Sequence, residues 1–384
     1  MPRDVFVIGY GAATVSRGVP LGLVELGAGA VQEALEESRV HDVQALYVGN
    51  MTGASLCNQS QLAARIAEKA RLGRISALTV EAACASGGAA IHAAYTAVAG
   101  GFADVAICCG VEILSHVDGA TSRRALATAS AWESEGAQNQ SFLSLNALVM
   151  RKYIERYALP PDAFAPFSVT AHRNACANPA ALLKKAIGTE DYVNAPVVES
   201  PMRLYDTSPI CDGAAAAVIA CSKVARQLKR DRIRILASSV ATDRAALADR
   251  DDLLELVAAR VSCERAYEQA RMAPSDISFF ELHDAFTVIT ALSLEAAGFA
   301  NPGYGHRLGG EIGREGAIPI STLGGLKARG HPVGASGVYQ LVEACAQLRH
   351  QAGAAQVPDP TTAMIQNLGG VGTTAVTHIL ERVV

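Results

Sequence analysis

Gly324-Gly325-Leu326-Lys327-Ala328-Arg329-Gly330-His331-Pro332-Val333-Gly334-Ala335-Ser336-Gly337 follows the short apolar run Pro319-Ile320-Ser321. It opens a helical pattern whose inner stripe is Val338, Leu341, Val342, Cys345 and Leu348. The first half of the chain has the same order of parts, with Ala77-Leu78-Thr79-Val80 leading to Cys84 and then to a Gly/Ala-rich helix. A strand, a turn that carries a chemically active side chain, and a helix of small residues therefore occur twice. That predicts a duplicated unit.

Around these two turns, β-like runs alternate with longer Ala-rich helical segments: Val5 to Ile8, Ala45 to Val48, Val105 to Cys109, Ala215 to Ala220 and Ile233 to Ala237. This alternation is that of an α/β fold. Met364-Ile365-Gln366 and Ala375 to Leu380, joined through Gly369-Gly370-Val371-Gly372, predict a closing hairpin. Between the halves, Ser115 to Tyr205 is more polar and irregular, with Arg123, Arg124, Arg151, Lys152, Lys184 and Lys185 scattered through it. It is expected to be an insertion. Its charges suit either a lid over a phosphate-bearing substrate or solvated helix faces.

The 384 residues are half hydrophobic and 18% charged, which suits a large core and excludes disorder. With 33 Lys and Arg against 37 Asp and Glu, the net charge of -4 gives no basic excess for nucleic acid. Ala82 to Ala103 runs 22 residues without a charge, but it is mostly Ala and Gly with Cys84, Ser86, His92, Tyr95 and Thr96. It is expected to be a buried helix rather than a membrane span. Neither Met1-Pro2-Arg3-Asp4 nor Glu381-Arg382-Val383-Val384 carries a targeting signal, so a cytoplasmic location is expected. Nine cysteines without a C-x-x-C pair predict reduced thiols and no structural metal, and Cys108-Cys109 is expected to be core.

Gly9-Tyr10-Gly11-Ala12-Ala13-Thr14 has the start of a dinucleotide fingerprint, but Thr14 stands where the third glycine belongs. An ordinary strand-to-helix turn is expected there. In Val80-Glu81-Ala82-Ala83-Cys84-Ala85-Ser86-Gly87-Gly88, Cys84 sits at a strand-to-helix junction, where free backbone N–H groups and the helix dipole are expected to favour a thiolate. A lone cysteine in such a stretch is more often core, so it needs partners. In Phe279-Phe280-Glu281-Leu282-His283-Asp284-Ala285-Phe286, His283 follows an apolar strand, and Asp284 is expected to cap the next helix. His331, braced by Pro332, can take a proton from a thiol and later donate to an oxyanion.

Cys84 in C-A-S-G-G, His283 in H-D-A-F, His331 in G-H-P-V-G-A-S-G and the terminal N-L-G-G-V-G together resemble the thiolases, in the family's order and over nearly the whole chain. The resemblance implies a duplicated α/β fold, with βαβαβαββ halves in α-β-α-β-α layers and an inserted loop domain. It divides the chain into 1–114 plus 205–228 as the first half, 115–204 as the loop domain, and 229–384 as the second half. It implies that Cys84 is the nucleophile that accepts an acyl group from a coenzyme A (CoA) thioester and that His331 activates it. His283 stands where most members have Asn, as in archaeal and sterol-carrier-protein branches, and with His331 would hold the thioester oxygen. Backbone N–H groups of Cys84 and Gly369 would form the other oxyanion hole. Coenzyme A would enter as substrate, with no cofactor.

One departure touches the mechanism. The family's second cysteine, which removes the α-proton, is Asn367 here, so that step is expected to fall to His283, His331 or a water they hold. Ser321, before the G-G-L run, replaces a frequent Asn. The activity implied is reversible Claisen chemistry giving acetoacetyl-CoA from acetyl-CoA. A degradative 3-ketoacyl-CoA thiolase, a C-acyltransferase to a non-CoA acceptor and a non-catalytic acyl-CoA-binding scaffold are the alternatives. The resemblance further implies a homodimer or homotetramer. It also implies possible partners in a small zinc-ribbon and OB-fold protein and in hydroxymethylglutaryl-CoA synthase.

Overall fold

The computed structural model describes residues 3–228 and 232–383. The 228/229 boundary read from sequence and the extreme terminal residues therefore touch positions outside the described residues. In chain order the first part comprises β1 (Val5–Ala12), α1 (Leu23–Ser38), β2 (Ala45–Gly49), α2 (Gly53–Leu56), α3 (Leu62–Lys69), β3 (Ser76–Val80), α4 (Ser86–Ala99) and β4 (Val105–Glu112). Next come α5 (Gly119–Ala127), α6 (Phe142–Tyr157), α7 (Ala165–Ala175), α8 (Thr189–Asn194), the short strands β5 (Val197–Glu199) and β6 (Met202–Arg203), then β7 (Gly213–Cys221) and α9 (Ser222–Ala225). The rest comprises β8 (Arg232–Thr242), α10 (Val257–Ala270), β9 (Phe279–Glu281), α11 (Thr287–Ala296), α12 (Ser336–Leu348), β10 (Thr362–Gly369) and β11 (Thr374–Val383).

The duplication is written in the sheet. Its order is β3-β2-β4-β7-β1-β8-β11-β10-β9, with β1 and β8 antiparallel at the joint, Val5 opposite Ile235. Outward from that joint, β1 to β7 and β7 to β4 are antiparallel, then β4 to β2 and β2 to β3 are parallel. On the other side, β8 to β11 and β11 to β10 are antiparallel and β10 to β9 is parallel. Among the described residues, the last position is filled by a parallel bridge alone, between Phe280 and Ile320. The run Pro319-Ile320-Ser321 is thus the counterpart of β3, reduced to a single bridge, and the hairpin expected near the C-terminus is β10–β11.

Five layers follow from which faces are apolar. Helices α1 and α3 cover the outer side of the first half, sharing a core with Val48, Ile107 and Val218. Helices α4 and α12 lie between the halves, where Ile91 and Ala94 meet Val338, Leu341 and Ile365. Helix α10 packs with Ile379 beyond the second half. A strand covered on both faces has no solvent side, so β7, Gly213-Ala214-Ala215-Ala216-Ala217-Val218-Ile219-Ala220-Cys221, is buried at every position. Its small side chains let helices approach from both sides.

The segment between β4 and β7 is more regular than its composition suggested, because it shares the second half's core. Leu145, Val149, Tyr153 and Phe164 belong to one cluster with Ile289, Leu292 and Leu368. One further expectation changes, and one holds. Gly9 and Gly11 lie inside β1 rather than in a turn after it, and a Cβ on Gly9 would meet Ala34 O at 2.5 Å, so the glycine admits α1. The uncharged stretch from Ala82 contains α4, which has 14 residues, and among the described residues no helix is long and apolar enough to cross a membrane.

Candidate active site

The chain leaves β3 and turns sharply. Ala83 takes a left-handed conformation, φ 51°, and the Ser86 hydroxyl fastens the turn by accepting from Ala82 N (2.9 Å) and donating to Ala83 O (2.6 Å). Cys84 is thereby fixed just before α4. In the second half, a wide helical turn over Gly325–Arg329 delivers His331, whose Nδ1 is 2.7 Å from the hydroxyl of Ser336, the first residue of α12.

Backbone contact between the two helix starts brings the thiol and the imidazole together. A Cβ on Gly337 would lie 2.3 Å from Gly88 N and 2.4 Å from Asn367 Oδ1, so only glycine lets α12 approach α4 this closely. The terminal glycine turn closes on the same place, since a Cβ on Gly369 would meet Ala82 O at 2.3 Å. The fully buried Glu112 carboxylate ties the surrounding loops. It accepts from Asn50 Nδ2 (3.0 Å), Met51 N (2.9 Å), Thr52 N (3.0 Å), Thr52 Oγ1 (2.5 Å) and Gly334 N (3.1 Å).

His283 follows β9 and stands edge-on to His331, with ring centroids 5.1 Å apart at 86°. Asn367 decides its tautomer. Gly88 N donates to Asn367 Oδ1 (3.1 Å), which orients the amide so that Nδ2 donates to His283 Nδ1 (3.2 Å). With Nδ1 accepting, the His283 proton sits on Nε2 and is available as a donor.

Burial sets the electrostatics. It pushes the Cys84 thiol up to about 12, with the Glu112 charge adding to the effect. This corrects the expectation of a thiolate at the helix start, because desolvation outweighs the favourable backbone contribution. Burial also lowers His283 to about 3, assisted by the nearby Arg329 charge, and holds His331 well below its ordinary value with help from His283 and Arg329. Both imidazoles are neutral at pH 7. The predicted cap also changes. Helix α11 starts at Thr287 after Phe286, without a side-chain cap, while Asp284 accepts from Leu326 N (2.7 Å) and Ser321 Oγ (2.9 Å), anchoring the loop that leads to His331.

Cys84 and His331 line one chamber of about 400 Å³, closed by Leu114, Phe142, Phe286 and Val333. His283 packs on His331, and Gly369 lies beside the nucleophile turn. Next to this chamber lies a second of about 920 Å³, with Arg17, His172, Lys184, Lys185 and Lys327 in its wall. Leu204, Thr207, Ser208, Pro209 and Ile210 line both. Of the scattered basic residues, Arg123 lines the first chamber and Lys184 and Lys185 the second. Arg151 instead donates to Ser200 O (2.7 Å), and Lys152 pairs with Glu155 (3.2 Å). Sequence reasoning missed Ser336 and Glu112 as positioning groups. Ser336 was legible in G-A-S-G, five residues after the histidine, whereas Glu112 gave no signal apart from the fold.

Comparison with known proteins agrees with this construction. Residues 15–223 match the family model described as "Thiolase, N-terminal domain" and residues 239–382 match "Thiolase C-terminal domain-like". An acetyl-CoA acetyltransferase of Methanothermobacter thermautotrophicus is 38% identical over 99% of this chain and 100% of its own length. One from Methanocaldococcus jannaschii is 35% identical over 99% of both. A benzoylsuccinyl-CoA thiolase subunit BbsB of Thauera aromatica is 32% identical over 96% of both. Among solved structures, the Ltp2-ChsH2(DUF35) aldolase superposes with TM-score 0.87 at 22% identity, covering 99% of this chain and 98% of that one. An acetyl-CoA acetyltransferase of Syntrophomonas wolfei superposes with TM-score 0.76 at 17% identity over 99% of both. At these identities the structural likeness is one of fold. The family models and full-length relatives carry the conclusion that this chain belongs to the thiolase family and is an acyltransferase.

Proposed function

We propose that the chain carries out reversible Claisen condensation and thiolysis of short acyl-CoA thioesters through an acyl-Cys84 intermediate, with acetoacetyl-CoA as the simplest product. The observation that carries this reading is the shared chamber of Cys84 and His331 opening beside a larger, basic one. The archaeal relatives named acetyl-CoA acetyltransferase support the acetyl group as the unit transferred.

A thiol held near 12 reacts only if its proton leaves as sulfur attacks. We assign that proton to His331 Nε2, because Ser336 occupies Nδ1. The new S–C bond forms as the thioester C–S bond breaks, and the imidazolium returns the proton to the departing CoA sulfur. Cys84 and Gly369 N–H groups serve as donors to this first oxyanion. In the second half-reaction an acetyl-CoA loses an α-proton, its carbon bonds to the acyl carbon, and Cys84 leaves as the thiol. We assign the enolate oxygen to His283 Nε2–H, whose proton Asn367 holds on that nitrogen, so the α-proton falls to His331 or a water it holds. Coenzyme A thioesters are substrates here, and the chemistry calls on no metal or redox cofactor.

The basic rim of the larger chamber suits the nucleotide end of coenzyme A. The open edge of β3, with Leu78 57% exposed, suits association with a second copy of the chain. The aldolase assembled with a DUF35 protein supports a small partner protein on this fold, and a cytoplasmic setting fits thioester metabolism. The benzoylsuccinyl-CoA relative favours a second reading, thiolysis of bulkier 3-oxoacyl thioesters, for which about 400 Å³ leaves room. The test is intact-mass analysis after mixing with acetyl-CoA. One acetyl adduct, mapped to Cys84 and absent in Cys84→Ala, is expected; an unmodified chain would leave only binding.

A further inference from the structure

Among the basic residues in the wall of the larger chamber, one is set apart by its burial. Lys327 lines its wall and is 1% exposed, and its Nζ has no hydrogen-bond partner among the described residues. The wide turn Gly325–Arg329 carries it inward. Asp206 and Asp284 lie close enough to favour the ammonium form, but both are already committed. Asp206 accepts from Tyr192 Oη (2.6 Å), Arg203 N (2.8 Å) and Thr287 Oγ1, while Asp284 holds Leu326 N and Ser321 Oγ. Burial lowers Lys327 to about 8, which leaves it mostly cationic at neutral pH.

A desolvated ammonium with no acceptor is costly to keep in a core, and a packed apolar side chain would cost less. Its retention in a cavity wall is accounted for if a ligand supplies the acceptor. A route for the ligand is present as well, because Leu204, Thr207, Ser208, Pro209 and Ile210 line both chambers. A thioester with its carbonyl at Cys84 can follow that strip into the larger space. We propose that Lys327 is a binding residue for an oxyanion carried by the thioester substrate, either a phosphate of the coenzyme or a carboxylate of the acyl chain. The proposal rests on the thioester chemistry above and adds the residue that selects the charged group.

The test is calorimetric binding in a Cys84→Ala background, which blocks turnover, with Lys327 intact or changed to Met or Arg. The ligands are coenzyme A, pantetheine, succinyl-CoA and butyryl-CoA. If the oxyanion is a phosphate, Lys327→Met weakens coenzyme A by about tenfold or more and leaves pantetheine unchanged. If it is a carboxylate, succinyl-CoA alone weakens by that factor. Lys327→Arg recovers part of the loss in either case. Equal affinities of all four ligands with and without the Lys327 ammonium overturn the proposal. Should the Met variant fail to fold, a crystal structure of the intact chain with coenzyme A and with succinyl-CoA decides. A ligand oxygen about 3 Å from Nζ supports the assignment, and water alone there in both complexes contradicts it. Because binding is read apart from turnover, Lys327-dependent binding without thiolysis overturns the thiolase chemistry alone. Thiolysis with Lys327-independent binding overturns this proposal alone.

Discussion

Asn367 donates from Nδ2 to Nδ1 of His283 at 3.2 Å while its Oδ1 accepts the amide of Gly88 at 3.1 Å. The residue that replaces the second cysteine of ordinary thiolases is therefore a positioning group, holding the His283 proton on Nε2. Asn367→Asp offers an acceptor in place of the donor and moves that proton to Nδ1. Condensation is expected to fall by about 10²–10³, the value of one lost oxyanion donor, while the rate of Cys84 acylation changes little. Single-turnover acylation measured beside steady-state condensation checks this, and equal losses in both would remove the special role of His283 in the second step.

The thiol's raised pKa fixes how Cys84 should meet an alkylating agent. In His331→Ala no imidazole can take the proton and only the thiolate reacts, so with a value near 12 the thiolate fraction rises about tenfold per pH unit from pH 7 to 10. Iodoacetamide inactivation should follow that slope. A plateau above pH 7 would mean that the helix start does hold a thiolate.

Gly337 is the point where α12 touches α4. Gly337→Ala is expected to destabilise the chain by about 1–3 kcal/mol, since the added methyl group displaces Gly88 and Asn367, and to lower activity beyond the stability loss. Thermal unfolding and thiolysis on the same preparation measure both effects. A fully active variant would show that the approach of the two helices is not what aligns the site.

Arg329 and Glu343 form a buried ion pair at 3.0 Å, 1% and 6% exposed. Arg329→Met leaves an unpaired carboxylate and is expected to cost about 3–5 kcal/mol, and Glu343→Gln in the same chain should recover much of that. Denaturant unfolding of the single and double variants tests the coupling. Additive losses would show that the pair is not interacting.

The residues that were legible from sequence are those fixed by local spacing. Cys84 and His331 could be matched because each follows a strand and precedes a helix of small residues, and the same repeat foretold the paired halves. Pro319-Ile320-Ser321 was read as the matching strand, yet it pairs through a single bridge, because the length of strand that finds a partner depends on the sheet edge and not on the apolar run. The Cys84 thiol was misjudged because a helix start is visible in a sequence and its desolvation is not. Asn367 could be read only as a missing cysteine, its bond to His283 joining residues 84 positions apart. The insertion's core was hidden for the same reason, with Tyr153 bonding to Glu295 across 142 positions. Lys327 was in plain view inside a glycine-rich motif, but nothing local distinguishes a buried lysine from an exposed one.

Thiolysis of acetoacetyl-CoA by free coenzyme A, followed by loss of the enolate absorbance in the intact chain and in Cys84→Ala, tests the central claim most directly. Rapid thiolysis that disappears in the variant is the predicted result. Thiolysis that survives loss of the thiol, or an intact chain that forms neither acetyl-CoA nor an acyl-Cys84 adduct from acetoacetyl-CoA, would contradict it.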